Sequence, residues 1–148
     1  MTQSPPRRSA LAAMYTGLGL TVAVTVLAYL STAVLAGHVR AGYPAYTPAQ
    51  VDSAVTAYLV LLSVLGALGA GGWLWTTWAV RAGKRWARPA ATVMLVLGIG
   101  TGLTGLFIRD VSGEPGLPPA LGWAGMAPCL AGIVAVALLW KHSERKAQ

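Results

Sequence analysis

Acidic side chains are almost missing from this chain. Asp52, Asp110, Glu114 and Glu144 are the only four, and all charged residues together make up 10% of the 148 positions. A soluble domain carries about a quarter, so ionic side chains here cannot cover a water-facing surface. Cysteine occurs once, at Cys129, and histidine twice, at His38 and His142. The single cysteine excludes an internal disulfide and a thiolate cluster of the kind that holds zinc. No metal or other cofactor is expected.

Hydrophobic residues, by contrast, make up 55% of the chain. Four runs contain no charge: 11–37, 53–80, 90–108 and 121–140. Each reaches the roughly 18–20 residues that a helix needs to cross about 30 Å of hydrocarbon. None alternates with period two, so a transmembrane barrel is not supported. Helices also satisfy their own backbone polar groups in lipid. The expectation is an all-α, polytopic membrane protein with a four-helix bundle over residues 11–140. A disordered segment 1–10 precedes it and a basic tail 141–148 follows.

The net charge of +7 is distributed unevenly. Arg7 and Arg8, then Arg81, Lys84, Arg85 and Arg88, then Lys141, Arg145 and Lys146 form three clusters. The other two connections hold only Arg40 and Arg109, beside Asp52, Asp110 and Glu114. Positive charge on alternate connections is the positive-inside pattern. It predicts a multi-pass cell-membrane protein with both termini and the Arg81–Arg88 turn in the cytoplasm. Charge segregated in this way argues against nucleic acid as a partner and for anionic lipid headgroups, at about 1 kcal/mol per basic residue near the surface. Arg7-Arg8 before an apolar run also suits a signal peptide, but 11–37 is far longer than the roughly 7–15 apolar residues of such a segment.

Local signals refine the spans. Gly37 reads as a helix C-cap, and Thr47-Pro48-Ala49-Gln50 as a capping box with proline at the first helical position. Gly69-Ala70-Gly71-Gly72 is the expected bend in the long second span. Proline should keep Arg109–Ala120 stiff and extended, and Pro128 should bend the last span. Trp73, Trp75, Trp78, Trp86 and Trp140 are expected as headgroup-level anchors.

Two patterns stand out inside the spans. Gly98, Gly102 and Gly105 share one helix face, and Gly125, Cys129 and Gly132 share another. Such small-residue faces allow close helix approach, within one chain or between chains. Gly100, Gly102 and Gly105 also spell G-x-G-x-x-G, but that fingerprint needs a preceding strand and a solvent-facing helix start. The second pattern is Thr21, Thr25 and Tyr29, with Thr32, at helical spacing in the first span. Its hydroxyls either bond back to their own helix or line a polar path.

Ionisable residues inside spans usually mark proton or ion coupling, and none lies away from the span ends. The helix count is similar to that of the small multidrug resistance transporters. Their membrane-embedded first-helix glutamate has no counterpart in 11–37. Fluoride-channel proteins are similar in size, yet their polar pore residues have no counterpart either. An enzyme would have to use His38, Arg40, Asp52, Arg109, Asp110 and Glu114, and would require them to converge over a pocket. No catalytic constellation is recognisable without that convergence, so the protein is read as a non-enzyme. The Ala/Gly/Val/Leu-rich spans, the Trp-rich end of the second and the turn Arg81-Ala-Gly-Lys84-Arg85-Trp86-Ala-Arg88 give a chain that resembles the small, uncharacterised four-helix integral membrane proteins of actinobacteria. That resemblance implies no reaction. The functional expectation is a structural or interaction subunit, associating through its glycine faces with a second copy or another membrane protein. The alternative is a carrier or channel for a small neutral or lipophilic solute.

Overall fold

A computed structural model describes residues 5–147. It contains five helices: α1 (Pro5–Leu30), α2 (Thr32–Gly42), α3 (Pro48–Arg81), α4 (Ala87–Phe107) and α5 (Pro119–Ala147). Among the described residues there is no strand, only an isolated bridge between Arg109 and Pro115. Four stretches are long and apolar enough to cross a membrane: Arg7–Leu30, Pro48–Arg81, Ala87–Phe107 and Pro119–His142.

The boundaries depart from the sequence expectation in three places. Helix begins at Pro5, inside the segment expected to be disordered; α1 packs on α5 and α3, and its burial starts at Ala10, Leu11 and Met14. The first span is broken at Ser31, whose backbone (φ −110°, ψ 28°) leaves the helical region. Helix then resumes and passes through Gly37 without a cap, ending where the Tyr43 N–H donates to the Val39 carbonyl. At the other end α5 continues past Trp140, so the tail from Lys141 to Ala147 extends the helix. Gln148 and residues 1–4 lie outside the described residues.

The α3 start forms as the residue types dictate. Gln50 N–H donates to Thr47 Oγ1 (3.3 Å), and Thr47 N–H donates to Gln50 Oε1 (2.8 Å). The helix then runs for 34 residues, unbroken through Gly69–Gly72, a length of about 50 Å at 1.5 Å per residue. Its C-terminus is closed by a Schellman motif. Lys84 N–H donates to Ala79 O (3.0 Å), Gly83 N–H donates to Val80 O (3.1 Å), and Gly83 takes φ +67°. Arg7 adds a guanidinium cap, donating to the Val80 and Arg81 carbonyls. A Cβ at Gly83 would meet nothing within 4 Å, so the only penalty for Gly83→Ala is the left-handed backbone. We expect it to lower stability by about 1 kcal/mol, measured by reversible unfolding in mixed micelles.

Packing produces two cores and little between them. At the basic end, Ala10, Leu11, Met14, Ala79, Val80 and Ala87 are buried together with parts of α4 and α5. At the opposite, loop end, Leu35, Val39, Val51, Val55 and Leu121 form a second cluster, through which α2 docks on α3. Around the bundle, α4 packs on α5, α5 on α1 and α1 on α3; the interface between α3 and α4 is the slightest of these. Large aliphatic side chains such as Val26, Leu30, Val60, Val64, Val96 and Leu130 face outward. An apolar exterior of that extent suits lipid and not water.

Candidate functional site

The middle of the bundle holds a cavity of about 470 Å³ between the two cores. Its walls come from α1 (Thr21, Val24, Thr25), α3 (Leu65, Gly66, Gly69), α4 (Met94, Gly98, Gly102) and α5 (Gly125, Cys129, Gly132) among others. Glycine recurs on three of the four walls, most of it filled by a side chain of a neighbouring helix, and Gly125 is the lining glycine that faces open space. A Cβ at Gly125 would meet nothing within 4 Å.

Trp73 forms the wall toward the basic end. Its indole lies against Gly17 of α1, where an added Cβ would overlap the ring, and near Gly132 of α5, where Cη2 would be 3.5 Å from an added Cβ. The indole N–H donates to Thr21 Oγ1 at 3.0 Å. Trp73 therefore faces the bundle interior, unlike the headgroup anchor expected from its type. Trp75, Trp78 and Trp86 are exposed and cluster at the basic end, with centroids 4.9 Å apart for Trp75–Trp86 and 6.3 Å for Trp78–Trp86.

The hydroxyls around the cavity are already engaged. Thr21, Thr25, Thr76 and Thr101 each donate to the carbonyl four residues earlier, at 2.6–2.9 Å. With the Trp73 N–H bonded to Thr21, the walls offer lone pairs and aliphatic surface but no free hydroxyl or indole donor. Among the described residues no charged side chain lines the cavity. Such walls favour an apolar or neutral occupant, since they offer an anion no free hydroxyl or indole donor and a cation no opposite charge. Tyr29 lies apart from this site: it is exposed, and its hydroxyl pairs with Ser63 Oγ at 2.6 Å.

The cavity opens sideways. Leu68 of α3 is 67% exposed and Leu97 of α4 is 59% exposed, although both line it. Gly98 and Thr101 of α4 are the other exposed lining residues. All four flank the α3–α4 seam, the slightest interface of the bundle. Toward the basic end Met94 of α4 closes that seam, its methyl seated against Gly72 of α3.

The two small-residue faces meet at Gly98 and Cys129, and elsewhere, Gly125 apart, each glycine receives a larger side chain. Gly98 faces Cys129, with Sγ 3.8 Å from an added Cβ; Gly102 receives Met126 and Gly105 receives Leu117. In return Gly132 of α5 receives Leu95, and Gly122 receives Leu106. The α4 and α5 faces thus interlock as knobs and gaps within one chain, while Gly125 opens onto the cavity.

A second, smaller pocket of about 130 Å³ lies at the loop end, lined by His38, Gly42, Tyr43, Tyr46, Tyr58, Asp110 and Glu114 with Val39 and Ala54. The structure thus brings His38, Asp110 and Glu114 together but leaves Arg40, Asp52 and Arg109 out of the lining. The loop after α4 is not extended: it folds back through a turn in which Gly113 N–H donates to Asp110 O (3.0 Å) and Gly113 takes φ +86°. Asp110 holds this shape, its Oδ1 accepting from the Ser112 N–H (2.8 Å) and hydroxyl, its Oδ2 from the Tyr43 hydroxyl (3.0 Å). These bonds, the Ser112 hydroxyl first, lower the Asp110 pKa below its ordinary value, and the bond to Asp110 raises that of Tyr43. His38 Nε2 lies 2.8 Å from the Pro115 carbonyl, which ties the loop to α2.

An all-helical bundle with an aliphatic exterior and four spans of membrane length defines a polytopic, four-span α-helical membrane protein. Compared with known proteins, the chain matches no family model, no curated protein and no solved structure.

Proposed function

We propose that this protein binds a small lipophilic molecule in its mid-bundle cavity, exchanging it with the bilayer through the α3–α4 seam, as a carrier or a binding protein for that molecule. The observation that carries this reading is the 470 Å³ void, inside the range of roughly 300–1,000 Å³ typical of ligand pockets. Interiors are normally packed as densely as organic crystals, so a void at mid-span forfeits contacts that an apolar occupant restores. Its lateral mouth supports exchange with lipid over exchange with water.

Cys129 lines the cavity and is the only thiol in the chain, which makes it a reporter. In lipid discs, a displaceable lipophilic fluorophore should bind saturably, and bound apolar molecules should slow alkylation of Cys129 by a membrane-permeant maleimide. Unsaturable partitioning, with alkylation indifferent to added ligand, would refute the reading.

A subunit role through the glycine faces has weaker support. Gly102 and Gly105 already receive Met126 and Leu117 of the same chain, which leaves Gly98 as the exposed glycine of that face. For location we propose the cell membrane with the basic end cytoplasmic. Lys84, Arg85 and the Trp75–Trp78–Trp86 group are exposed there, and Lys84 Nζ sits 5.9 Å from the Trp78 ring. This suits anionic headgroups.

A further inference from the structure

We propose that the loop-end pocket is a binding site for an organic ammonium group. Among the described residues its lining contains two carboxylates and no lysine or arginine, in a chain whose net charge is +7. Asp110 is held by Ser112 and Tyr43, but the Glu114 carboxylate has no hydrogen-bond or ion-pair partner among the described residues. The Tyr58 hydroxyl likewise has no hydrogen-bond partner among them. Three tyrosines and an imidazole join Val39, Gly42 and Ala54 in the lining: Tyr43 and Tyr46 stack at 4.7 Å, and Tyr58 meets His38 edge-on at 6.4 Å. Aromatic rings beside carboxylates are a combination that recognises ammonium groups. A metal ion fits less well, since no three His, Cys, Asp or Glu residues among those described are grouped to hold one.

Gly42 lets the loop pack closely. A Cβ there would lie 2.8 Å from Ser112 Oγ and 3.6 Å from Glu114 Cγ, so a larger residue would have to displace the Ser112 hydroxyl from its bond to Asp110. Glu114 is then brought opposite α3, and the pocket reads across three elements that are remote in sequence. The ammonium group has two possible sources, a zwitterionic lipid headgroup or a free soluble amine.

The test uses the full chain in discs of phosphatidylglycerol, with choline as the soluble probe and its neutral isostere 3,3-dimethylbutanol as control. His38 is one of two histidines, so its imidazole resonance is readily followed by NMR. Choline should shift that resonance saturably, and the isostere or matched sodium chloride should not. Glu114→Gln should weaken choline about tenfold while leaving the unliganded His38 signal in place; Asp52→Asn, outside the pocket, should leave affinity unchanged. Discs doped with phosphatidylcholine give the lipid arm: a shift there identifies a headgroup site, and a response to free choline alone identifies a soluble amine site. Equal shifts from choline and its isostere, no saturable shift in either arm, or unchanged affinity in a Glu114→Gln protein with an intact His38 signal would each overturn the proposal. If Glu114→Gln alters the fold, the comparison of choline with its isostere on the unaltered chain still decides.

Discussion

Gly17→Val is expected to destabilise the bundle strongly, by roughly 3 kcal/mol. The glycine lies against the face of a rigid indole, and a branched side chain there would occupy the volume of the Trp73 ring. Trp73 cannot yield by a small rotation without losing the bond from its N–H to Thr21 Oγ1 and its packing near Gly132. Its displacement would also collapse the cavity wall. Gly19→Val provides the control, because a Cβ at Gly19 would meet nothing within 4 Å, and since valine's helix propensity exceeds glycine's the change should leave stability level or raise it by a few tenths of a kcal/mol. The check is the mixed-micelle unfolding midpoint of the two variants against the unaltered chain. Equal midpoints for Gly17→Val and Gly19→Val would show that Trp73 is not seated between α1 and α5.

Gly125→Leu should have the largest effect on binding, with little loss of stability. Its side chain would grow into the cavity, where nothing stands within 4 Å of the new Cβ, and so fill space that the proposed ligand occupies. Affinity for a lipophilic fluorophore is expected to fall more than about tenfold, while the unfolding midpoint stays level or rises through added contacts. Gly102→Leu, one turn along the facing helix wall, should behave differently. There Met126 already occupies the gap, so overpacking should destabilise by about 1–3 kcal/mol and pry α4 from α5. A Gly125→Leu protein that binds the probe as well as the unaltered chain would separate the void from any binding function.

Much of the architecture is legible in residue order. Hydropathy over some 20 residues is a local property, so the second, third and fourth spans are recognisable from their uncharged runs. The Thr47–Gln50 capping box is legible for the same reason, since its partners are three residues apart. The break at Ser31 is not. Its flanks are as apolar as an unbroken span, and helix resumes because Leu35 and Val39 find Val51 and Val55 across a hairpin, a pairing that hydropathy does not register. By residue type Trp73 reads as an interfacial anchor, and only the neighbouring helices show why it turns inward: Gly17 and Gly132 leave a slot for it.

The candidate sites were partly legible. Thr21 and Thr25 share a helix face with Tyr29 in the sequence, yet only the first two reach the cavity. Leu68 and Leu97, at its mouth, carry no sequence signal because leucine in a span is unremarkable. At the loop end, His38, Asp110 and Glu114 could be named as candidates by charge alone. Tyr43 and Tyr58, which complete the pocket, could not.

Composition and charge order suffice to specify an all-helical, four-span membrane protein and to propose which end faces the cytoplasm, because solvation in lipid and translocation both act on contiguous segments. Pairing among those segments was settled by tertiary structure: glycines fitted to particular side chains, two cores packed at the ends, and the middle left hollow. Lipid solvates every apolar helix face about equally, so shape complementarity between residues far apart in the chain decides which faces meet and where space remains.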